Sequence, residues 1–257
     1  MKLYNKGPWS RALTWHGPGI YPEYVTDYKV TLCPADASTV SKPMKEQIAD
    51  ILRGTLQATP VYRRGDLNGD GLYDGKDVAI WICAPRSYAY TAWAVTSNEE
   101  LAAVVASIER FKDLNFGPNG LPPYPWADDD VPADQGPVTY NGITITPAGS
   151  AGGDAVLRLR EGIERFFTTD LNNPAAGATA SAQLPVMWDF FASRATGLGA
   201  TPGFLGQGVL KFNHVPGGSN VLYFDGHAEF QRYDEERFPM SAWLAGYFGD
   251  VAYGGGH

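Results

Sequence analysis

The sequence predicts an α+β domain in which helices pack on a small antiparallel sheet and long loops join short elements. An apolar stripe at helical spacing after Ser97 predicts a helix, and the dipeptides Asn141-Gly142 and Asp225-Gly226 predict hairpins. The 30 glycines and 19 prolines among 257 residues predict the long loops. A chain of this size can bury a substantial core. We therefore expect one domain over residues 1–257, with an insertion at 62–83 and a C-terminal hairpin region at 206–240.

Two helices are predicted in the first half of the chain. The segment Ser41–Arg53 has Pro43 in its first turn and is followed by Gly54, a residue suited to end a helix. The second helix begins at Ser97, where Glu100 completes a capping box. Its apolar side chains are spaced to share one buried face, and they are Leu101, Val104, Val105, Ile108 and Phe111.

Turn dipeptides predict the two hairpins. Asn141-Gly142 supplies both positive-φ residues of a type I′ turn. Asp225-Gly226 separates two alternating runs within Asn220–Phe230. Residues 156–167 stay open between a strand and a short helix, because their apolar and charged residues alternate only at the start.

The most specific chemical pattern is the acidic loop from Asp66 to Asp77. Oxygen-bearing side chains recur at alternate positions, and Gly71 stands sixth, where an EF-hand-type loop turns sharply. Donors at this spacing surround a cation of calcium's size, and carboxylates packed so closely would repel one another without it. The alternative is an acidic turn without a cation. We predict one Ca²⁺ bound by Asp66, Asn68, Asp70, the carbonyl of Leu72, Asp74 and Asp77.

This loop resembles the calcium-binding repeat of dockerins more than a calmodulin-type EF-hand, because Asp77 replaces the usual Glu. Dockerins carry two such repeats. Here Asp113–Asn115 and Asp170–Asn172 repeat only the opening letters of the loop. The resemblance therefore implies calcium binding and does not imply docking to a cohesin.

The two cysteines, Cys33 and Cys83, fit an extracellular disulfide. Such a bridge would close a loop of about 50 residues and contribute roughly 3–4 kcal/mol in the chain-entropy model. The alternative is two buried thiols. Neither cysteine has a histidine nearby along the chain, so the sequence argues against a zinc site.

Charge and hydropathy narrow the partners and the location. A net charge of −8 argues against a nucleic-acid partner, which requires a concentrated basic surface. No stretch of ~18 apolar residues is present, so we expect no membrane span in this chain. No apolar segment follows Met1-Lys2, which leaves a cytoplasmic protein or one whose N-terminal segment is missing here. The calcium loop favours the second choice and an extracellular or cell-surface location, since weak calcium sites stay filled where calcium is millimolar.

In the C-terminal segment, His214 is followed after ten residues by Asp225-Gly226. This pattern resembles the signature of bacterial prepilin-type proteins, which is a His, nine residues, then Asp-Gly. These proteins are related to type IV pilins and type II secretion pseudopilins. Further similar segments extend the resemblance over most of residues 21–240, and they are Tyr21–Asp27, Leu32–Asp36, Ser87–Tyr90, Arg160–Phe166 and Leu184–Asp189.

The resemblance implies a pilin-like head of a non-enzymatic subunit that self-assembles into a filament or pseudopilus. Such proteins begin with a cleavable leader and a long hydrophobic helix, and the sequence contains neither. Two expectations follow, a head region alone or a shared fold without assembly. Heads that lack the anchoring helix would associate through the aromatic tail, which comprises Trp243, Tyr247, Phe248 and Tyr253.

The signature residues are expected to be structural. His214 would hydrogen-bond backbone near the hairpin, and Asp225-Gly226 would form its turn. A catalytic interpretation would pair His214 or His227 with Asp225, but Asp225 is needed for the turn and no nucleophile motif accompanies it. The sequence therefore predicts no enzyme.

Two other classes of function stay open. A secreted calcium-dependent carbohydrate-binding module would use exposed aromatic rings for a glycan, and Trp126 beside Asp128–Asp130 is the place for it. The acidic triplet could also hold a second cation or be a solvated loop tip. A hydrolase would need two carboxylates facing each other across a cleft.

Overall fold

The computed structural model describes residues 13, 15, 20, 23–31, 33–35, 87–111, 129–168, 174–193, 210–214 and 217–249. Several predicted features lie outside these residues: the helix at Ser41–Arg53, the calcium loop at Asp66–Asp77, Cys83, Trp126, Asp128 and Tyr253. None of the helices in the described ranges is long and apolar enough to cross a membrane.

The described residues contain both helices and small antiparallel sheets, which is consistent with the predicted α+β class. The α-helices are α1 (Asn98–Phe111), α2 (Pro174–Gln183) and α3 (Ala242–Gly249). Short 3₁₀ helices lie at Tyr28–Thr31, Ser150–Gly152 and Ile163–Phe167. The strands are β1 (Tyr88–Tyr90), β2 (Val131–Pro132), β3 (Val138–Tyr140), β4 (Ile143–Ile145), β5 (Ala155–Val156), β6 (Pro185–Asp189), β7 (Phe191–Ser193), β8 (Leu210–Phe212), β9 (Gly218–Tyr223) and β10 (Ala228–Arg232).

Within the part of the chain that the structure describes, the strands form one four-stranded sheet and three two-stranded ribbons. The sheet has the order β1-β6-β9-β10, and the ribbons are β2-β5, β3-β4 and β7-β8. Every pairing is antiparallel. Within the sheet, Trp188 of β6 is opposite Val221 of β9, and both side chains are buried in the core.

Both predicted hairpins are confirmed. Asn141 and Gly142 have φ values of 53° and 76°, the positive-φ pair that a type I′ turn between β3 and β4 requires. Between β9 and β10, Gly226 has a φ of 93°, and its N–H donates to the carbonyl of Tyr223 at 3.0 Å. The side chain of Asp225 accepts the backbone N–H of His227 at 3.1 Å, so Asp225 serves the turn as predicted.

Helix α1 begins and buries its apolar face as the sequence predicts. The Ser97 Oγ accepts the backbone N–H of Glu100 at 3.2 Å. The carboxylate of Glu100 in turn accepts the Thr96 backbone N–H at 2.5 Å, a variant of the capping box shifted by one residue. The apolar stripe is at most 1% exposed at Leu101, Val104, Val105 and Ile108. This face packs against β2, β3, β4 and β5.

Helix α3 corrects the prediction that the aromatic tail is an association surface. Trp243, Tyr247 and Phe248 are at most 1% exposed and belong to the main core. The ring of Tyr140 on β3 meets Trp243 at 5.8 Å and Tyr247 at 5.2 Å between centroids, both edge to face. These side chains stabilise the fold from within and are not available to a second subunit.

Residues 156–167, which the sequence left open, contain both kinds of element. Val156 ends β5, and the 3₁₀ helix Ile163–Phe167 follows after an irregular stretch. Ile163 is fully buried in a small second cluster with Ala94 and Leu184. Helix α2 packs against this 3₁₀ helix.

Candidate functional site

The candidate site lies at the corner where the chain passes from the four-stranded sheet to the β7-β8 ribbon. Strand β6 ends at Asp189, and β7 begins two residues later in a different pairing. The carbonyl of Ser87 accepts two hydrogen bonds here, from the Phe190 N–H at 2.7 Å and from the Asn213 side-chain amide at 3.0 Å. Asn213 precedes His214, so this contact holds the segment after β8 against the corner.

Asp189 is the buried polar centre of this corner. Its residue is 2% exposed. Its Oδ2 accepts both the backbone N–H and the side-chain amide of Asn220, each at 2.8 Å. Its backbone carbonyl accepts the Ser219 hydroxyl at 3.0 Å. A buried carboxylate requires such donors, and these donors connect β6 to β9.

His214 points its Nε2 atom into the same cluster. Its Nε2 lies 3.0 Å from Oδ2 of Asp189, 3.1 Å from Nδ2 of Asn220 and 3.4 Å from Sγ of Cys33. The His214 side chain is 27% exposed, whereas Cys33 is 5% exposed. The expectation that this ring would bond to backbone near the hairpin is wrong for Nε2, whose partners are side chains.

The structure brings together residues that sequence reasoning treated separately. Cys33, Asp189 and His214 each place one possible metal-ligand atom within 4.8 Å of the others. The expectation of no zinc site rested on neighbours along the chain, whereas in space His214 lies 3.4 Å from Cys33. In the sequence, Asp189 is the last residue of one of the similar segments. The available signal was an acidic residue directly after the apolar stretch Leu184–Trp188.

His227 contacts Asp225, which is one of the two pairings that a catalytic interpretation would require. The Nδ1 of His227 lies 2.6 Å from Oδ1 of Asp225, and the His227 ring stacks on Tyr223 with centroids 4.4 Å apart. Hydrogen bonds from the His227 backbone and ring hold the pKa of Asp225 below its ordinary value. The His227–Asp225 pair lies at the exposed tip of the hairpin. The other histidine, His214, contacts Asp189 and not Asp225.

Two members of the acidic triplet have contacts within the fold. The Asp129 carbonyl accepts the indole N–H of Trp93 at 3.0 Å. The Asp130 carboxylate accepts the backbone N–H of Arg158 at 2.7 Å and lies 3.7 Å from the Arg160 guanidinium. The Asp130 contacts favour a structural role for that carboxylate over a second cation site.

A polar cavity of about 260 Å³ lies elsewhere, between β9, β10 and the end of α2. The side-chain amide of Gln231 donates to the Tyr223 hydroxyl there, and burial raises the pKa of Tyr223. The other lining side chains include Thr96, Gln183, Glu229 and Arg237. His214, His227 and Asp225 do not line it.

The chain matches no model of a known protein family, no curated protein and no solved structure.

Proposed function

We propose that this protein is a non-enzymatic, pilin-like structural subunit that acts outside the cell and self-assembles into a filament or pseudopilus. The observation that carries the proposal is the contact between His214 and Asp189 at 3.0 Å, with Asn220 donating to the same carboxylate. These three residues join the segment before the C-terminal hairpin to the hairpin and to the central strand β6.

The signature residues are thereby occupied with holding the fold. His214 contacts the buried Asp189, Asp225 accepts the His227 N–H, and Gly226 adopts the positive φ of the turn. These contacts give each signature residue a role in the fold, which supports the structural interpretation over the catalytic one. The polar cavity takes no side chain from this group.

Calcium is part of the proposal through the sequence of the loop at Asp66–Asp77. A cation that binds the folded state alone stabilises it by mass action. A loop-rich head that works outside the cell would gain rigidity from millimolar calcium, and this is why we place the protein there.

Electron microscopy of material produced from a full-length gene, in calcium, tests this function. We expect filaments or ordered assemblies whose lateral contacts each bury more than about 1,000 Å². Because Trp243, Tyr247 and Phe248 are buried, those contacts must use other surfaces. Comparing the Asp70→Ala variant with the unaltered chain measures how much calcium contributes to assembly. Monodisperse monomers at high concentration in calcium would overturn the filament assignment.

A further inference from the structure

Three chemically different donor atoms converge at the corner between β6 and β7. They are the Sγ of Cys33, a carboxylate oxygen of Asp189 and the Nε2 of His214, and they lie within 4.8 Å of one another. They come from the N-terminal part of the chain, the central strand and the segment after β8. Cys33 and Asp189 are buried, while the partly exposed His214 ring leaves a side open to solvent.

The Nε2 of His214 donates to Asp189 if it carries a proton, or accepts from the Asn220 amide if it does not. The Asn220 amide also donates to Asp189, so neither arrangement leaves that amide without an acceptor. A cation between the three donors would take the Nε2 lone pair, the thiolate and the carboxylate together.

We propose that Cys33, Asp189 and His214 bind one divalent transition-metal cation of the zinc class. Sulfur, nitrogen and oxygen donors suit Zn²⁺, which is usually four-coordinate, and water would complete the set. Calcium is excluded from this site by its preference for oxygen ligands, so the site is chemically distinct from the loop at Asp66–Asp77. The bound cation would cross-link three chain segments and keep one coordination position for water.

Asn220 orients the carboxylate of Asp189, one of the three proposed metal ligands. Its backbone N–H and side-chain amide both donate to Oδ2 of Asp189 at 2.8 Å, which fixes the carboxylate toward His214. Outer partners of this kind are a regular part of metal sites. The Ser219 hydroxyl on the Asp189 carbonyl holds the backbone of the same residue.

The same three residues do not form a nucleophile, base and orienting acid in series. In such a relay the thiol contacts one ring nitrogen and the carboxylate contacts the other. Here Cys33 and Asp189 both approach Nε2, at 3.4 and 3.0 Å. The three donor atoms instead lie within 4.8 Å of one another, close enough to share one cation.

The test is metal binding by the full chain, reduced and stripped of metal, followed by equilibrium dialysis against zinc. We expect about one zinc bound per chain, and we expect zinc to protect Cys33 from alkylation in peptide mapping. Cobalt in place of zinc should give a thiolate-to-metal charge-transfer absorption. Cys33→Ser should remove this absorption and weaken binding by at least about 100-fold, while Asn220→Ala should weaken binding roughly 10-fold, as expected for an outer partner.

The matched controls are His227→Ala, which removes the exposed histidine, and Asp70→Ala, which alters the calcium loop. Both should bind zinc as the unaltered chain does. If His214→Ala fails to fold, alkylation mapping still tests the proposal, because it measures the protection of Cys33 by zinc in the unaltered chain. A Cys33–Cys83 disulfide in natively produced protein would overturn the proposal. So would a reduced chain that binds no zinc, or stoichiometric binding that survives both Cys33→Ser and His214→Ala.

Discussion

The Nε2 of His214 lies 3.0 Å from Oδ2 of Asp189, whose side chain is 2% exposed. This contact joins the segment after β8 to the end of β6. Removing either partner of a buried polar contact destabilises the folded state, because the remaining carboxylate or donor stays buried without a partner. The same contact supports the structural assignment and contributes to the proposed metal site.

We expect Asp189→Ala to lower the free energy of unfolding by about 3 kcal/mol or more in metal-free buffer, because it leaves the Asn220 donors and His214 without their buried acceptor. Glu229→Ala is the control, since Glu229 and Arg237 form an exposed pair at 3.7 Å. That change should cost less than about 1 kcal/mol. Denaturant unfolding measures both. Equal losses would contradict the central role of Asp189.

Gly218, at the start of β9, lies against Phe230 and Gln231 of β10. A methyl group there would be 2.5 Å from Cζ of Phe230 and would also contact the carbonyl of Gln231. We expect Gly218→Ala to destabilise the protein by about 2–3 kcal/mol through this overpacking. Gly136→Ala is the matched control, because no atom lies within 4 Å of the added methyl. Thermal unfolding compares them, and similar melting temperatures would disprove the close packing.

Glu100 is a buried carboxylate that fixes the start of α1. It accepts the Thr96 N–H, the Thr96 hydroxyl at 2.9 Å and the Ala151 N–H at 3.0 Å. Glu100→Ala should therefore lower stability by about 2–3 kcal/mol, since it leaves several donors unpaired. Glu99→Ala, at the neighbouring exposed position, should change stability by at most about 0.5 kcal/mol. Chemical denaturation of both variants is decisive, and a neutral Glu100→Ala would remove the role assigned to this side chain.

The calcium prediction is checked by chelation. A calcium-selective chelator should lower the melting temperature of the unaltered chain, because the cation binds the folded state. In Asp70→Ala this response should disappear. The exposed Asp134 provides the control, and Asp134→Ala should keep the full response. A melting temperature that the chelator leaves unchanged would identify the loop as an acidic turn without a cation.

Burial raises the pKa of Tyr90, Tyr223 and Tyr233 above the ordinary value of 10.0. The folded state therefore keeps phenolic protons that the unfolded chain releases near pH 10, so this stability is present below about pH 10 and is lost as the pH rises further. Denaturant unfolding at several alkaline pH values should show the decline. Tyr90→Phe should reduce it, whereas Tyr24→Phe, at a ring 80% exposed, should leave it unchanged. A flat alkaline profile would contradict the burial effect.

Local features of the fold could be predicted because neighbouring residues determine them. The capping residues before α1 contact backbone within four positions, and the Asn141-Gly142 turn needs only two residues able to adopt positive φ. The stripe of α1 was readable because helical spacing places its members on one face. For the same reason the sequence indicated the hairpin at Asp225-Gly226 without any knowledge of the sheet.

Only the tertiary structure decided which distant residues meet. Cys33 and His214 are 181 positions apart, and their atoms come within 3.4 Å because the segment after β8 returns to the end of β6. The burial of Trp243 likewise depends on packing α3 against β3, β4 and β7. The sequence of α3 is apolar on every side, so it indicates no boundary between an exposed and a buried face. Chain-local preferences act over a few residues, but a site or a core depends on the pairing of strands. That pairing is fixed by the simultaneous burial of many apolar side chains, which no single segment of the sequence specifies.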